Sequence, residues 1–187
     1  MILPIVAFGD PVLRQETNEI DQDYPKLNEL IENMKQTMHN APGVGLAAPQ
    51  IGLPIRLFVV DTESIYEDEK GKEDQGIQKV FINPIITEEW GKIWDFEEGC
   101  LSIPGIREKV KRQRNIKIEY YDENFILKEE AFDGLNARVI QHEYDHIEGV
   151  LFTDHLGGMK KRRLQRKLRS ISKGDIDIAY KMRFPKK

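Results

Sequence analysis

Gln141-His142-Glu143-Tyr144-Asp145-His146 is the stretch on which the reading of this chain turns. Residues four apart on an α-helix share a face, so His142 and His146 can reach one ion while Glu143 projects beside them toward any water held there. A histidine pair with its own carboxylate predicts a metal centre with a built-in base. The helix that carries it is expected to start near Asp133 and to end at Gly149. Leu135 and Val139 continue the spacing of the two histidines, so the ligands stand on an apolar stripe that points inward.

Two histidines leave the coordination incomplete, and Glu98-Gly99-Cys100-Leu101-Ser102 offers a third ligand. Cys100 is the one cysteine of the chain. It has no partner for an intramolecular disulfide, which fits a reducing cytoplasm and leaves the thiol free to ligate or attack. A buried, inert thiol is the other common use of a lone cysteine. Cys100, His142 and His146 make a three-ligand set whose fourth tetrahedral position stays open, as catalytic sites require and structural sites do not. His39 and His155 have no spacing that demands ligation and read as ordinary side chains.

Around these motifs the pattern predicts a helix over residues 25–39, with Leu27, Leu30, Ile31, Met34 and Met38 at helical spacing and Pro25 in the first turn. A small-residue loop, Gly43-Val44-Gly45-Leu46-Ala47-Ala48-Pro49-Gln50, follows. Strands are expected at 55–60 and 80–86, flanking a polar insertion over 63–78 that reads as solvated. Alternation through Ile116, Ile118 and Tyr120, a turn at Asp122-Glu123-Asn124, and residues 125–132 give an antiparallel hairpin. Residues 159–172 form a second helix with a thin stripe of Met159, Leu164, Leu168 and Ile171. Segregated strands and helices argue for an α+β fold, mostly antiparallel sheets around a central metal-binding helix, with a further helix near the C-terminus.

A chain of 187 residues suits one domain: a catalytic part over 1–158, and a basic C-terminal helix and tail over 159–187 belonging to it. The composition, 40% apolar and 32% charged, is that of a soluble globular protein. A net charge of -4 conceals an asymmetry, because residues 159–187 hold 12 basic and 2 acidic side chains. Such a cluster is attracted to an RNA surface, although a solvated helix face explains it equally well. No stretch reaches membrane-spanning length, and Pro4, Gly9 and Pro11 break any leader-like run.

In order and spacing, the 43–50 loop, Glu98-Gly99-Cys100-Leu101-Ser102 and Gln141-His142-Glu143-Tyr144-Asp145-His146 resemble the three signature motifs of the peptide deformylases. Gly9-Asp10-Pro11-Val12-Leu13-Arg14 is similar to that family's N-terminal segment. The resemblance spans about residues 4–156 and is loose over 63–78 and beyond Gly158. It implies a cytoplasmic hydrolase that removes the formyl group from N-terminal formylmethionine of nascent polypeptides, releasing formate. It implies Fe(II) as cofactor, with zinc, nickel or cobalt able to substitute, held by Cys100, His142 and His146. Glu143 is implied as general base, and the Gln50 side-chain amide and the Leu101 backbone N–H as oxyanion donors. Arg107 matches a family arginine near the pocket mouth, where a surface salt bridge accounts for it equally. The ribosome, where such substrates emerge, becomes a plausible partner for the basic tail.

The chemistry of the residues agrees with these implications. A formamide resists neutral water, and metal coordination can lower the pKa of water to near neutrality. Gly43 and Gly45 permit close approach of an extended peptide, or serve turn geometry alone. Val44, Leu135 and Val139 can build an apolar slot for methionine, with Arg138 at its edge, or can be ordinary core. Two rivals stand beside this reading: an endopeptidase using the same helix motif, and an RNA-binding module with a structural metal. Formate release from a formyl-Met peptide separates all three.

Overall fold

A computed structural model of the chain describes residues 1–67 and 75–185. The first long helix, α1 (Leu27–Asn40), buries Leu27, Ile31, Met34 and Met38 on one face. It starts later than the periodicity predicts, because Lys26 takes a left-handed conformation, φ 56°, and leaves Pro25 outside the helix.

Five strands, β2 (Gly45–Ala47), β3 (Leu57–Asp61), β4 (Gln78–Cys100), β5 (Ile103–Tyr121) and β6 (Leu127–Asp133), form one antiparallel sheet in that order. Three of these depart from expectation, and one is β5, which begins at Ile103, well before the alternation through Ile116, Ile118 and Tyr120. The loop read over 43–50 contains β2, which pairs Gly45 with Val60 and Ala47 with Phe58, and then a 3-10 turn over Ala48–Ile51. Strand β4 runs far beyond residue 86, and residues 87–93 are all exposed, so no alternation of apolar and polar residues betrays them. The β4–β5 ribbon changes register between Trp90 and Ile93, where Gly91 has φ 88°. An irregularity of this kind bends a ribbon. The ribbon's distal part reaches over the next helix and ends in the turn Leu101-Ser102.

That helix, α3 (Gly134–Ile147), begins after Asp133 as expected. Ala137, Ile140 and Ile147 are wholly buried against Phe58, Phe81, Ile116 and Ile118 of the sheet. Leu135 and Val139 are only half-buried, since both line a cleft, Val139 packing against the edge of this core as well. Gln141 ties α3 to the ribbon, its Nε2 donating to Glu89 and to the Gln113 carbonyl. The polar insertion opens with one helical turn, α2 (Glu63–Tyr66), whose Tyr66 is buried and not solvated; residues 68–74 of that expectation lie outside the described residues.

After a 3-10 turn over Phe152–His155 comes α4 (Gly158–Lys173). Leu164 and Ile171 are buried and Leu168 is half-buried. Met159, expected on the same stripe, is 82% exposed. Five residues separate it from Leu164, which turns it about 140° away around the helix. Gly174 caps the helix in the left-handed conformation, φ 75°. The chain then returns to the body, where β7 (Met182–Arg183) pairs in parallel with β1 (Ile5–Val6). Among the described residues no helix is long and apolar enough to cross a membrane.

Candidate metal centre and cleft

Two elements meet at the site. Helix α3 brings His142, Glu143 and His146, and the tip of the β4–β5 ribbon brings Cys100 and Leu101. One ligand atom from each of Cys100, His142 and His146 can be chosen so that all lie within 4.8 Å of one another, the one such group among the described residues. Cys100 Sγ is 3.3 Å from His146 Nε2. Burial alone would raise the Cys100 thiol, but His146 and His142 outweigh it and bring it down to about 5. For His142, burial disfavours the charged ring, yet Cys100 and Glu98 together draw it well above its ordinary range. Thiolate and carboxylates thus create a site that favours positive charge. Soft thiolate and two imidazoles converging on one point suit a divalent transition metal in an open tetrahedral position.

His142 is oriented from behind. Its Nδ1 lies 3.0 Å from Glu98 Oε2, leaving Nε2 for the ligand cluster. Glu98 also accepts from Arg112 Nε at 2.7 Å and Nη2 at 3.0 Å, and from Arg138 Nη1 at 2.9 Å. Burial opposes ionisation of Glu98, but His142 and Arg112 overcome it and hold the carboxyl far below the usual range. Arg112 continues to Asp145 at 2.8 Å, and Asp145 meets His155 Nε2 at 2.8 Å. His39 pairs with Asp61 on the surface.

Glu143 is 4% exposed and its Oε2 has no protein partner. Burial, with further contributions from Cys100 and Glu98 and against the pull of the two histidines, raises its carboxyl to about 7. A carboxylate near neutrality with a free oxygen is suited to accept and return a proton. Gly45 leaves it room: a Cβ there would stand 2.7 Å from the Glu143 carboxyl carbon. A Cβ at Gly43 would meet Leu101 Cδ1 at 2.7 Å. The Gln50 side chain is buried, and its Oε1 accepts from the Ala47 N–H at 2.9 Å. Its Nε2 is therefore turned to the other side, toward Cys100 Sγ at 3.4 Å and Ser102 Oγ at 3.3 Å.

These groups open into a cleft of about 660 Å³. Gly43, Val44, Gly45, Leu135 and Val139 line it, as does Leu101. Arg107 lies at the same cleft, largely exposed, with Glu97 3.4 Å from its Nε. Arg138 also borders the cleft but is 2% exposed, since its guanidinium donates to Glu98, to the Val110 carbonyl and to the Trp94 carbonyl and lies 4.7 Å from the Trp94 ring. It braces the ribbon against α3 more than it edges an apolar slot.

Reading the sequence alone missed Glu98, Arg112 and Tyr180 as parts of this site. Glu98 stands inside the motif that carries Cys100, and its charge two positions before the cysteine was the available signal. Arg112 and Tyr180 gave none, for they arrive through the ribbon and the returning tail.

An open three-ligand centre beside a buried carboxylate, set in a peptide-sized cleft, defines a metal-dependent hydrolase. The profile of the polypeptide deformylase family matches residues 2–162. A peptide deformylase of Christiangramia forsetii is 59% identical over 190 residues, covering 99% of this chain and 97% of that protein. One from Flavobacterium johnsoniae is 56% identical over 189 residues, with 98% and 96% covered. The crystal structure of the peptide deformylase from Thermus thermophilus is similar with a TM-score of 0.81 at 38% identity, covering 93% of this chain and 99% of that one. The chain belongs to the polypeptide deformylase family. That family is metal-dependent and removes the N-formyl group from nascent peptides, and this chain is a hydrolase of that kind.

Proposed function

We propose that Cys100, His142 and His146 hold Fe(II), with zinc, nickel or cobalt able to take its place, and that Glu143 is the proton carrier of deformylation. The observation that carries this reading is the convergence of those three ligand atoms beside a buried carboxylate with a free oxygen. A divalent cation held by these three side chains would supply Lewis acidity, making water more acidic and a carbonyl more electrophilic.

The chain's own residues do the rest. The peptide lies along the cleft with its methionine side chain against Val44, Leu135 and Val139, near the backbone of Gly43 and Gly45, and Arg107 flanks its continuation. Glu143 takes the proton of the attacking water and delivers it to the departing amine. As the formyl oxygen gains charge, the Gln50 Nε2–H and the Leu101 N–H donate to it, and losing one such donor typically costs ~3–4 kcal/mol of transition-state stabilisation. Gln50 is suited to this because its other end is already engaged by Ala47.

We place the enzyme in the cytoplasm, with the ribosome as a partner reached through α4. Lys161, Arg162, Arg163, Arg166, Lys167 and Arg169 are exposed on that helix, while Lys160 is occupied by Glu108 at 3.0 Å. The test of the chemistry is formate release from formyl-Met-Ala by protein loaded anaerobically with Fe(II), abolished by a chelator and restored by the metal. Metal-replete protein that releases no formate would sink the assignment.

A further inference from the structure

Leu101 and Ser102 close the ribbon between the paired residues Cys100 and Ile103. Two-residue turns that match a ribbon's own twist use left-handed residues, usually glycine or asparagine. Neither Leu101 nor Ser102 has a positive φ. The tip is instead gripped from outside, by its carbonyls. The Ser102 carbonyl accepts from the Phe8 N–H at 2.9 Å, and the Leu101 carbonyl accepts from the Tyr180 hydroxyl at 2.7 Å.

The two grips form one unit. Phe8 lies just after β1 and Tyr180 just before β7, and these strands are paired, Ile5 N–H to the Lys181 carbonyl and Ala7 N–H to the Arg183 carbonyl, each at 2.9 Å. Tyr180 is half-buried, packs on the same core cluster as Leu101 and lines the cleft that holds Cys100 and Glu143. A tail whose charge marks it as a solvent-facing arm therefore supplies a wall of the site.

We infer that Tyr180 is a positioning residue for deformylation: by holding the Leu101 carbonyl it fixes the peptide unit that follows Leu101, and so limits the φ and ψ rotations through which the Leu101 N–H would turn away. This rests on the donor role proposed for that N–H. The Cys100–Ile103 pair holds both ends of the turn and the hydroxyl holds the peptide unit between Leu101 and Ser102, so the N–H of the unit between Cys100 and Leu101 is aimed before any substrate arrives. Donors that need no reorganisation during the reaction are the effective ones, and small misplacements are costly.

Tyr180→Phe keeps the ring and removes only the hydroxyl. The expected result with formyl-Met-Ala is a kcat lowered about tenfold with KM within about twofold of wild type, at equal metal content and thermal midpoint. Amide hydrogen exchange at Leu101 and Ser102 should quicken while α3 is unaffected. A merely structural role would leave kcat per folded, metal-loaded molecule unchanged. Unchanged kcat overturns the inference, and so does a loss confined to KM or one explained by lost metal. Wild-type protein that releases no formate would count against the reaction assigned above, whereas unchanged exchange at Leu101 in the variant would count against the grip alone.

Discussion

A carboxylate that must stay buried and unencumbered needs a neighbour without a side chain, and Gly45 is that neighbour. Gly45→Ala should push the Glu143 carboxyl aside, so kcat should fall at least about tenfold with KM little changed. A rise in KM alone would show that the glycine serves peptide approach instead. Glu143→Gln keeps size and removes the proton acceptor; turnover should drop ~10²–10⁴-fold with metal content intact. Near-normal turnover in metal-replete Glu143→Gln would refute the base assignment. At this scale the ligand trio was legible because ligand chemistry is written in residue type, and because spacing by four puts two histidines on one helical face. The supports were not. Glu98 meets Arg112 only once the two strands of the ribbon have paired, and Arg138 only once the ribbon has folded over α3, and nothing local announces either partner.

Helix α4 is amphipathic by a margin of three side chains, Leu164, Leu168 and Ile171, with its outer surface basic. Charge reversal at Lys161, Arg162 and Arg166 leaves those three untouched. The triple Glu variant should keep wild-type activity on a short peptide and lose salt-sensitive co-sedimentation with ribosomes. Undiminished co-sedimentation at low salt would remove α4 from the ribosome argument. Elements with one wet and one dry face, α1, α3 and the β5–β6 hairpin, were readable from periodicity. The long ribbon was not, because a strand with both faces in water carries no alternation, as at residues 87–93. Likewise β2 hid in a glycine-rich loop. Its pairing with β3, and the carboxylate beneath Gly45, explain small residues that sequence assigned to turn geometry or peptide approach.

Across the whole molecule several carboxylates are held below their ordinary range, among them Glu98, Asp145 and Asp154. Burial opposes this in each, and is outweighed by His142 and Arg112 at Glu98, by His155 and Arg112 at Asp145, and by Arg14 at Asp154. A folded-state value below the unfolded one means stabilisation that is complete above about pH 4–5 and lost as pH falls through the folded value. The urea midpoint of chelated protein should therefore decline below about pH 4.5. Glu98→Gln takes the carboxylate from Arg138 and leaves Arg112 with Asp145 alone, and breaking such a buried pair at neutral pH costs ~3–5 kcal/mol. Its curve should approach that of the wild type as acid neutralises Glu98; parallel curves would contradict the sign. The α+β class with antiparallel strands around α3 was legible from the order of elements, while the β1–β7 pairing was not, because two short strands from distant parts of the chain share no local pattern. That pairing has a consequence for the order of manufacture. Strands β3 to β6 meet their neighbours in sequence and can pair as the chain emerges from a ribosome, but β1 waits for β7 until nearly all the described residues have been made. Phe8 and Tyr180 grip the turn beside Cys100 from those two late-meeting strands. A newborn copy of this enzyme thus has its scaffold before its working tip, and comes into service after leaving the machine whose products it trims.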